Sequence, residues 1–380
     1  MYILLLFTCQ TAPRELDELC YLTAQSMTSL VTSEHFKLIK KLGEGSYGKV
    51  MLAVHQKRGT PMALKFFPRR STSLQAFLRE YNLSVSYCTH PSLTRAIGIF
   101  YSTPSHYVFA QEAGLYGDLY DVIVSEEGVS EECAQRVMSQ LSGAVSHLHS
   151  LGFVHRDIKP ENIFLCDRVC RWVKLGDFGL ARAQGTKVRA VWYNSPFCVP
   201  EMECAKRVSE AEEEAEDIWM SAEPSLDTWA LGILIYCLLT SCFPWEETTS
   251  DDPSYCKYRD WFNRIKQREE RVRGQNGLRE GDHCEKQNTV REENETELEV
   301  APQFDSLSSF VLTLLRKLLN PLPLLRPGPE EILSYLGGPW LLKTEKEEMR
   351  REQEAHMEAK KLHERGGVEE GKEILGRRER

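Results

Sequence analysis

The hydrophobic pattern of this 380-residue chain changes period once, and that change fixes the kind of fold available to it. From Phe36 the pattern is strand-like: Phe36-Lys37-Leu38-Ile39-Lys40 leads to a glycine-rich turn, then Val50-Met51-Leu52-Ala53-Val54. After the turn-like Lys57-Arg58-Gly59-Thr60-Pro61 comes Met62-Ala63-Leu64-Lys65-Phe66. Runs of this kind separated by turn residues predict an antiparallel meander. Beyond Ser130 the period is helical. Ala134, Val137, Met138, Leu141, Val145 and Leu148 recur at three- and four-residue steps, with Ser130 as N-cap and Gly152 as the stop. Leu226 to Thr240 is apolar nearly all round, as a helix at the centre of a large unit should be. The expectation is an α+β protein. A small, mainly β part with one key helix, Leu74 to about Ser86, precedes a larger, mainly α part.

Composition removes several alternatives. The formal net charge of −9 argues against a nucleic-acid binder held by bulk electrostatics. Twelve cysteines are scattered without Cys-x-x-Cys or zinc-like Cys/His spacing, and read as reduced, mostly buried thiols of a cytoplasmic protein. Met1 to Phe7 is apolar but lacks a positive flank and is shorter than the core of a secretory leader. The longest apolar stretch, Trp229 to Leu239, is too short to span a bilayer, so no membrane span is expected. Residues 1–35, with a weak helical pattern through Leu16, Leu19, Leu22 and Met27, read as an extension. The acidic run Glu210 to Asp217 and the polar stretch from Arg264 to about Pro302 read as solvated insertions, and 343–380 as a charged tail.

Three groups of residues carry chemistry. The first is Leu42 followed by Gly43-Glu44-Gly45-Ser46-Tyr47-Gly48-Lys49-Val50, whose glycines let a backbone hairpin lie against phosphate oxygens. Alone, this segment fits a plain turn equally well. A strand rather than a helix follows it, which removes the dinucleotide-binding reading. The second group is Lys65 with Glu80, the only acidic residue between Lys65 and Gln111. A lysine that holds phosphates needs a carboxylate to fix its stem.

The third group is His155-Arg156-Asp157-Ile158-Lys159-Pro160-Glu161-Asn162 with Asp177-Phe178-Gly179. Asp157 can accept a hydroxyl proton and Lys159 can neutralise a phosphoryl group in flight. Asn162 and Asp177 offer oxygen ligands suited to Mg²⁺. Each Asp taken singly fits a solvated loop; the ordered set does not.

These residues resemble the eukaryotic protein kinase family over about Phe36 to Leu342, with 36–113 as the N-lobe and 114–342 as the C-lobe of a bilobal fold. Val199-Pro200-Glu201 looks like the end of an activation segment, Arg326 stands where the family places that Glu's buried partner, and Asp227-x-Trp229-x-x-Gly232 looks like the opening of the central C-lobe helix. Asp17-Glu18-Leu19, Phe77-Leu78-Arg79-Glu80-Tyr81 and Tyr116-Gly117-Asp118-Leu119-Tyr120-Asp121 resemble the SH3-domain-binding kinase family. The resemblance implies ATP and Mg²⁺ as cofactors and Ser or Thr hydroxyls of a protein substrate as acceptors. It also implies a hinge at Glu112 to Gly114 facing adenine, Gln111 as gatekeeper and Asp118 near the ribose. Glu161 occupies a position that favours basic residues upstream of the acceptor in some kinases.

The chain departs from the family pattern at three places. Asn194 stands where a Thr usually bridges the catalytic Asp and Lys, and an amide can still hydrogen-bond there. Ser84 replaces a hydrophobe one turn after Glu80, which predicts a less firmly held Lys65–Glu80 pair. Ala190 falls near the usual phosphorylated position, so the segment is expected to order without that phosphate. The chain contains no Pro-x-x-Pro, so an SH3 partner is not supported. A catalytically silent scaffold and a small-molecule kinase remain as rival readings.

Overall fold

Alternation along the strands decides where the first core lies. In the computed structural model, which describes residues 2–45, 48–124, 129–189, 195–203, 219–277, 299–351 and 353–354, five strands form one antiparallel sheet. They are β1 (Phe36–Gly45), β2 (Gly48–His55), β3 (Pro61–Pro68), β4 (Ala96–Ser102) and β5 (His106–Gln111), in the order β1-β2-β3-β5-β4. On β3, Met62, Leu64 and Phe66 join Phe36, Ala53, Tyr101 and Val108 on one face. Phe67, and with it Lys65, belongs to the other face. Both faces are covered, and six consecutive β3 residues are buried as a result.

The expected helix is present as α3 (Leu74–Ser86), and the Ser73 side chain caps it by accepting from the Ala76 amide. Phe77 of α3 packs on Phe67 and Phe109 of the sheet at ring separations of 5.4 and 6.0 Å. The amino-terminal residues, expected only as an extension, supply the helix α1 (Tyr2–Gln25), whose Ala12, Leu16 and Cys20 are buried in the same core. The chain then runs beside β4, with hydrogen bonds between Ser102 and both Thr28 and Leu30, and enters β1 through the short α2 (Thr32–His35).

The second lobe is helical. After α4 (Leu119–Ile123) comes α5 (Glu131–Ser150), where all six residues named by the periodicity are fully buried and Ser130 caps the start. Short strands follow: β6 (Phe153–Val154), β7 (Ile163–Leu165), β8 (Val173–Leu175), β9 (Arg182–Ala183), β10 (Lys187–Arg189) and β11 (Trp219–Ser221). The all-apolar run becomes α6 (Pro224–Thr240), buried continuously from Asp227 to Leu238. Then come α7 (Pro253–Gly277), which contributes to the same core, and α8 (Ser309–Leu318), which packs beside α6.

One expectation about polar segments changes. The stretch from Arg264 is not a loop at its start, because α7 continues to Gly277 and Ile265 packs on the core together with buried Tyr258, Trp261 and Phe262. That three- and four-residue spacing drives a helix through sequence that is polar on its other sides. Residues 278–298, and the acidic run Glu210 to Asp217, lie outside the described residues. The charged tail begins as a helix over 342–351, tied down where the Thr344 hydroxyl donates to Glu131 Oε2 at 2.9 Å. Among the described residues no helix is long and apolar enough to cross a membrane.

Candidate active site

Between the sheet and the helical lobe lies a cleft of about 530 Å³. Leu42, Gly43, Glu44, Gly45, Gly48, Val50, Ala63 and Lys65 line it from the sheet. The connector gives Gln111, Glu112, Gly114 and Asp118, and the other lobe gives Asp157, Lys159, Asn162, Phe164 and Asp177. The sequence motifs, far apart along the chain, therefore meet in one place. Gly48 is obligatory: its φ is +141°, and a Cβ there would sit 1.9 Å from the Phe66 carbonyl oxygen. At Gly43 and Gly45 a Cβ would meet no atom, so these positions leave room over the cleft rather than relieve crowding.

Three expected positions behave differently. Lys49 alternates with Gly48 and Val50 along β2, so its side chain leaves the cleft and its Nζ lies 5.6 Å over the Phe66 ring. Glu112 borders the cleft, but its carboxylate accepts from the Arg95 amide at 3.1 Å and from Lys174 Nζ at 2.9 Å and so braces the connector. Asp118 borders the cleft and also caps α4, accepting from the Asp121 amide at 3.2 Å. Ser46, Tyr47 and Asn194 lie outside the described residues.

Lys65 is 6% exposed and stands between two carboxylates, with Glu80 Oε1 at 2.6 Å and Asp177 Oδ1 at 2.8 Å. Burial works to discharge it, but the two carboxylates outweigh burial and hold its pKa above the ordinary lysine value. Burial likewise opposes ionisation of Asp177, and the Lys65 charge overcomes it, so the carboxyl titrates below its usual range. Glu80 touches Lys65 rather than the cleft wall, which makes it a positioning residue.

Ser84 reverses the expectation drawn from it. It is buried, its hydroxyl donates to the Thr94 carbonyl at 3.1 Å, and its oxygen accepts from the Ala96 amide at 2.9 Å. A hydroxyl tie to the backbone leading into β4 replaces a hydrophobic contact, so this end of α3 is fastened rather than loose.

On the floor, the Asn162 amide nitrogen donates to both the carbonyl and the Oδ2 of Asp157, at 2.8 and 2.9 Å. Lys159 Nζ reaches Asp157 Oδ1 at 3.1 Å. The loop itself is pinned from beneath by Asp227, which accepts from the amides of His155 and Arg156, both at 2.8 Å, and pairs with His149. Arg156 and Asp177 hold left-handed φ values of 70° and 59°, which the surrounding bonds must stabilise. Buried His155 links the two motifs. Its Nδ1 accepts from the Asp157 amide at 3.2 Å, which leaves Nε2 to donate to the Gly176 carbonyl at 3.1 Å.

A second cavity, of about 460 Å³, shares Asp157, Lys159 and Glu161 with the first and continues past Ser195, Phe197, Val199, Met202 and Met220. Beneath it Arg326 grips Glu201. Among the wall residues, Ala63, Leu115 and Phe164 of the first cavity and Phe197, Met202 and Met220 of the second escape the motif reading. Ala63 is legible in retrospect, since it shares a strand face with Lys65. Phe164 is marked only by its packing: a Cβ on Gly114 would sit 2.8 Å from Phe164 Cβ.

A family model for the protein kinase domain matches residues 36–340. The chain belongs to the protein kinase family. It is 41% identical over 249 residues to serine/threonine-protein kinase SBK1 of Danio rerio, covering 66% of this chain and 62% of that protein. It is 36% identical over 368 residues to serine/threonine-protein kinase SBK2 of Mus musculus, covering 96% and 89% of the two chains. Against SBK2 of Homo sapiens the identity is 33% over 332 residues, covering 87% and 84%. The kinase is thus of the serine/threonine type, SBK-like, and its sheet and helical lobes are those of the bilobal α+β kinase fold.

Proposed function

We propose that this kinase transfers the γ-phosphate of ATP, with Mg²⁺, to Ser or Thr hydroxyls of protein substrates. One observation carries the reading: Lys65, held between Glu80 and Asp177, opens onto the same cleft as Asp157, Lys159 and Asn162. Lys65 would provide a positive charge for the α- and β-phosphates, and Gly43, Glu44, Gly45 and Gly48 line the side of the cleft that would lie against them. Asp157, fixed by Asn162 and Lys159, orients the acceptor hydroxyl and takes its proton. Lys159 faces the transferring group.

The donor set suits Mg²⁺. Because the Asn162 nitrogen is spent on Asp157, its oxygen points the other way, and with the Asp177 carboxylate it makes a hard oxygen pair of the kind that binds Mg²⁺ alongside phosphates. The ion would neutralise phosphate charge there. The second cavity supports a polypeptide acceptor, since it runs on from Asp157 along an apolar wall rather than closing around a small molecule. A cytoplasmic setting is in keeping with the nine described cysteines, all free thiols.

Transfer of labelled phosphate to a degenerate Ser/Thr peptide library, wild type against Asp157→Asn, tests the proposal. Labelling by wild type that the substitution abolishes is expected. Equal labelling by both would remove Asp157 from its role, and none by either would favour a silent scaffold.

A further inference from the structure

A helix packed against a sheet on one side buries a stripe, yet α3 buries Phe77, Leu78, Glu80, Tyr81, Asn82, Leu83 and Ser84. The outer face is covered by α1. Ala12, Leu16 and Cys20, spaced four apart and 5%, 3% and 8% exposed, form the covering stripe.

Polar contacts fix the register of the two helices. Asn82 is 3% exposed, and its Oδ1 accepts from the Thr23 hydroxyl at 2.9 Å. Its nitrogen donates to the Leu78 carbonyl at 2.9 Å and to Cys20 Sγ at 3.7 Å. Just past the end of α3, the Tyr87 hydroxyl reaches the Ala12 carbonyl at 3.1 Å and Glu15 at 3.3 Å. The exposed Arg79–Asp17 pair at 3.4 Å adds little. At about 100° per residue, Asn82 and Glu80 lie roughly 200° apart around α3, so the α1 contact and the Lys65 contact occupy opposite faces.

We propose that α1 is a built-in brace for the transfer site, in which Leu16, Thr23 and Asn82 act as positioning residues that press α3 inward and keep Glu80 on Lys65. The brace cannot drift, because the chain leaving α1 is bonded to Ser102 of β4 through Thr28 and Leu30. In its absence the Asn82 amide would lose its Thr23 partner and the apolar outer face of α3 would meet water. Both changes favour an outward or frayed α3, and Lys65 would then keep only Asp177. The inference rests on the activity proposed above and adds the part of the chain that sustains it.

The test uses the full chain with Leu16→Asp, and with the milder, near-isosteric Thr23→Val in case the first variant fails to fold. Each is made alone and in a Glu80→Gln background. Two quantities are read: amide exchange over Leu74–Ser86, and kcat/KM for ATP. With Glu80 present, Leu16→Asp is expected to speed α3 exchange and lower kcat/KM by about tenfold, and Thr23→Val by about threefold, while exchange in α6 stays unchanged. In the Glu80→Gln background the same substitutions should lower kcat/KM by less than about twofold, because the residue they act through is already disabled. Equal losses in both backgrounds would reduce α1 to general stabilisation and overturn the brace. So would unaltered α3 exchange. Exchange is read without turnover, so a wild-type chain that fails to phosphorylate would refute the proposed function and still leave the brace decided by its own measurement.

Discussion

Arg326 holds Glu201 through two parallel hydrogen bonds, of 2.8 Å from Nη1 and 2.6 Å from Nη2, with the arginine side chain fully buried and its guanidinium 4.8 Å from the Trp229 ring centroid. Two further donors are used, Nε on the Asn320 carbonyl and a second Nη1 hydrogen on that of Ser225. This pair ties the end of the activation segment to the body of the helical lobe. Arg326→Ala strands the Glu201 carboxylate and two carbonyls, and should lower stability by about 3–5 kcal/mol in denaturant unfolding. Arg326→Lys keeps the charge but not the fork, and should recover less than half of that loss.

Ser84 supports a second prediction. Ser84→Ala leaves the Thr94 carbonyl and the Ala96 amide without their side-chain partner inside a buried region, a cost of about 1–3 kcal/mol. Because the tie fastens the end of α3, KM for ATP should rise as well. A variant with wild-type stability and KM would show that the hydroxyl is dispensable.

The site was more legible in the sequence than its supports were. Lys65, Glu80, Asp157, Asn162 and Asp177 could be named because the chemistry restricts which residue types fit and in what order. The meander and α5 could be named because period-two and period-3.6 burial leaves a repeating mark. The bonds of Ser84 and the packing of α1 were not foreseen for a shared reason. What they contribute depends on which backbone groups lie opposite, and no local pattern encodes a partner ten or sixty residues away. The start of α7 beyond Arg264 was hidden by composition: a few apolar residues at helical spacing anchor a segment whose average is strongly polar.

Asp227 yields a pH prediction. Burial pushes its carboxyl pKa up, but the His149 bond and the loop amides outweigh burial, and the pKa lies below the ordinary aspartate value. A depressed folded-state pKa gives stability that is fully present above the unfolded value, near 4, and is lost as pH falls through the folded value. The unfolding midpoint should therefore drop steeply below about pH 4, with Asp177 contributing in the same direction. Asp227→Asn should be less stable at pH 7 and show a shallower fall between about pH 5 and 2, since it has no proton to take up. Parallel curves for the two proteins would contradict this account of the loop's anchor.

The activation segment supplies the last prediction. β10 pairs antiparallel with β11, placing Lys187 opposite Ser221, Val188 opposite Met220 and Arg189 opposite Trp219. Two further bonds, from the Gly185 amide to the Ala222 carbonyl and from the Ala222 amide to the Thr186 carbonyl, extend the ladder. In addition, Arg156 Nη1 donates to the Leu180 carbonyl at 3.0 Å. Backbone pairing thus ties 185–189 to 219–222, whereas Ala190, at the expected phosphorylation position, lies outside the described residues. Phosphatase treatment should leave phosphotransfer within about twofold of its starting value, where a phosphate worth even 1.4 kcal/mol to ordering would cost tenfold. Val188→Pro, which fixes φ near −65° and is poorly tolerated within a ladder, should lower kcat/KM by about tenfold or more; Val188→Thr, which keeps the β-branched shape, should cost far less. Activity that vanished on dephosphorylation and returned on rephosphorylation would place control with a phosphate instead of the ladder.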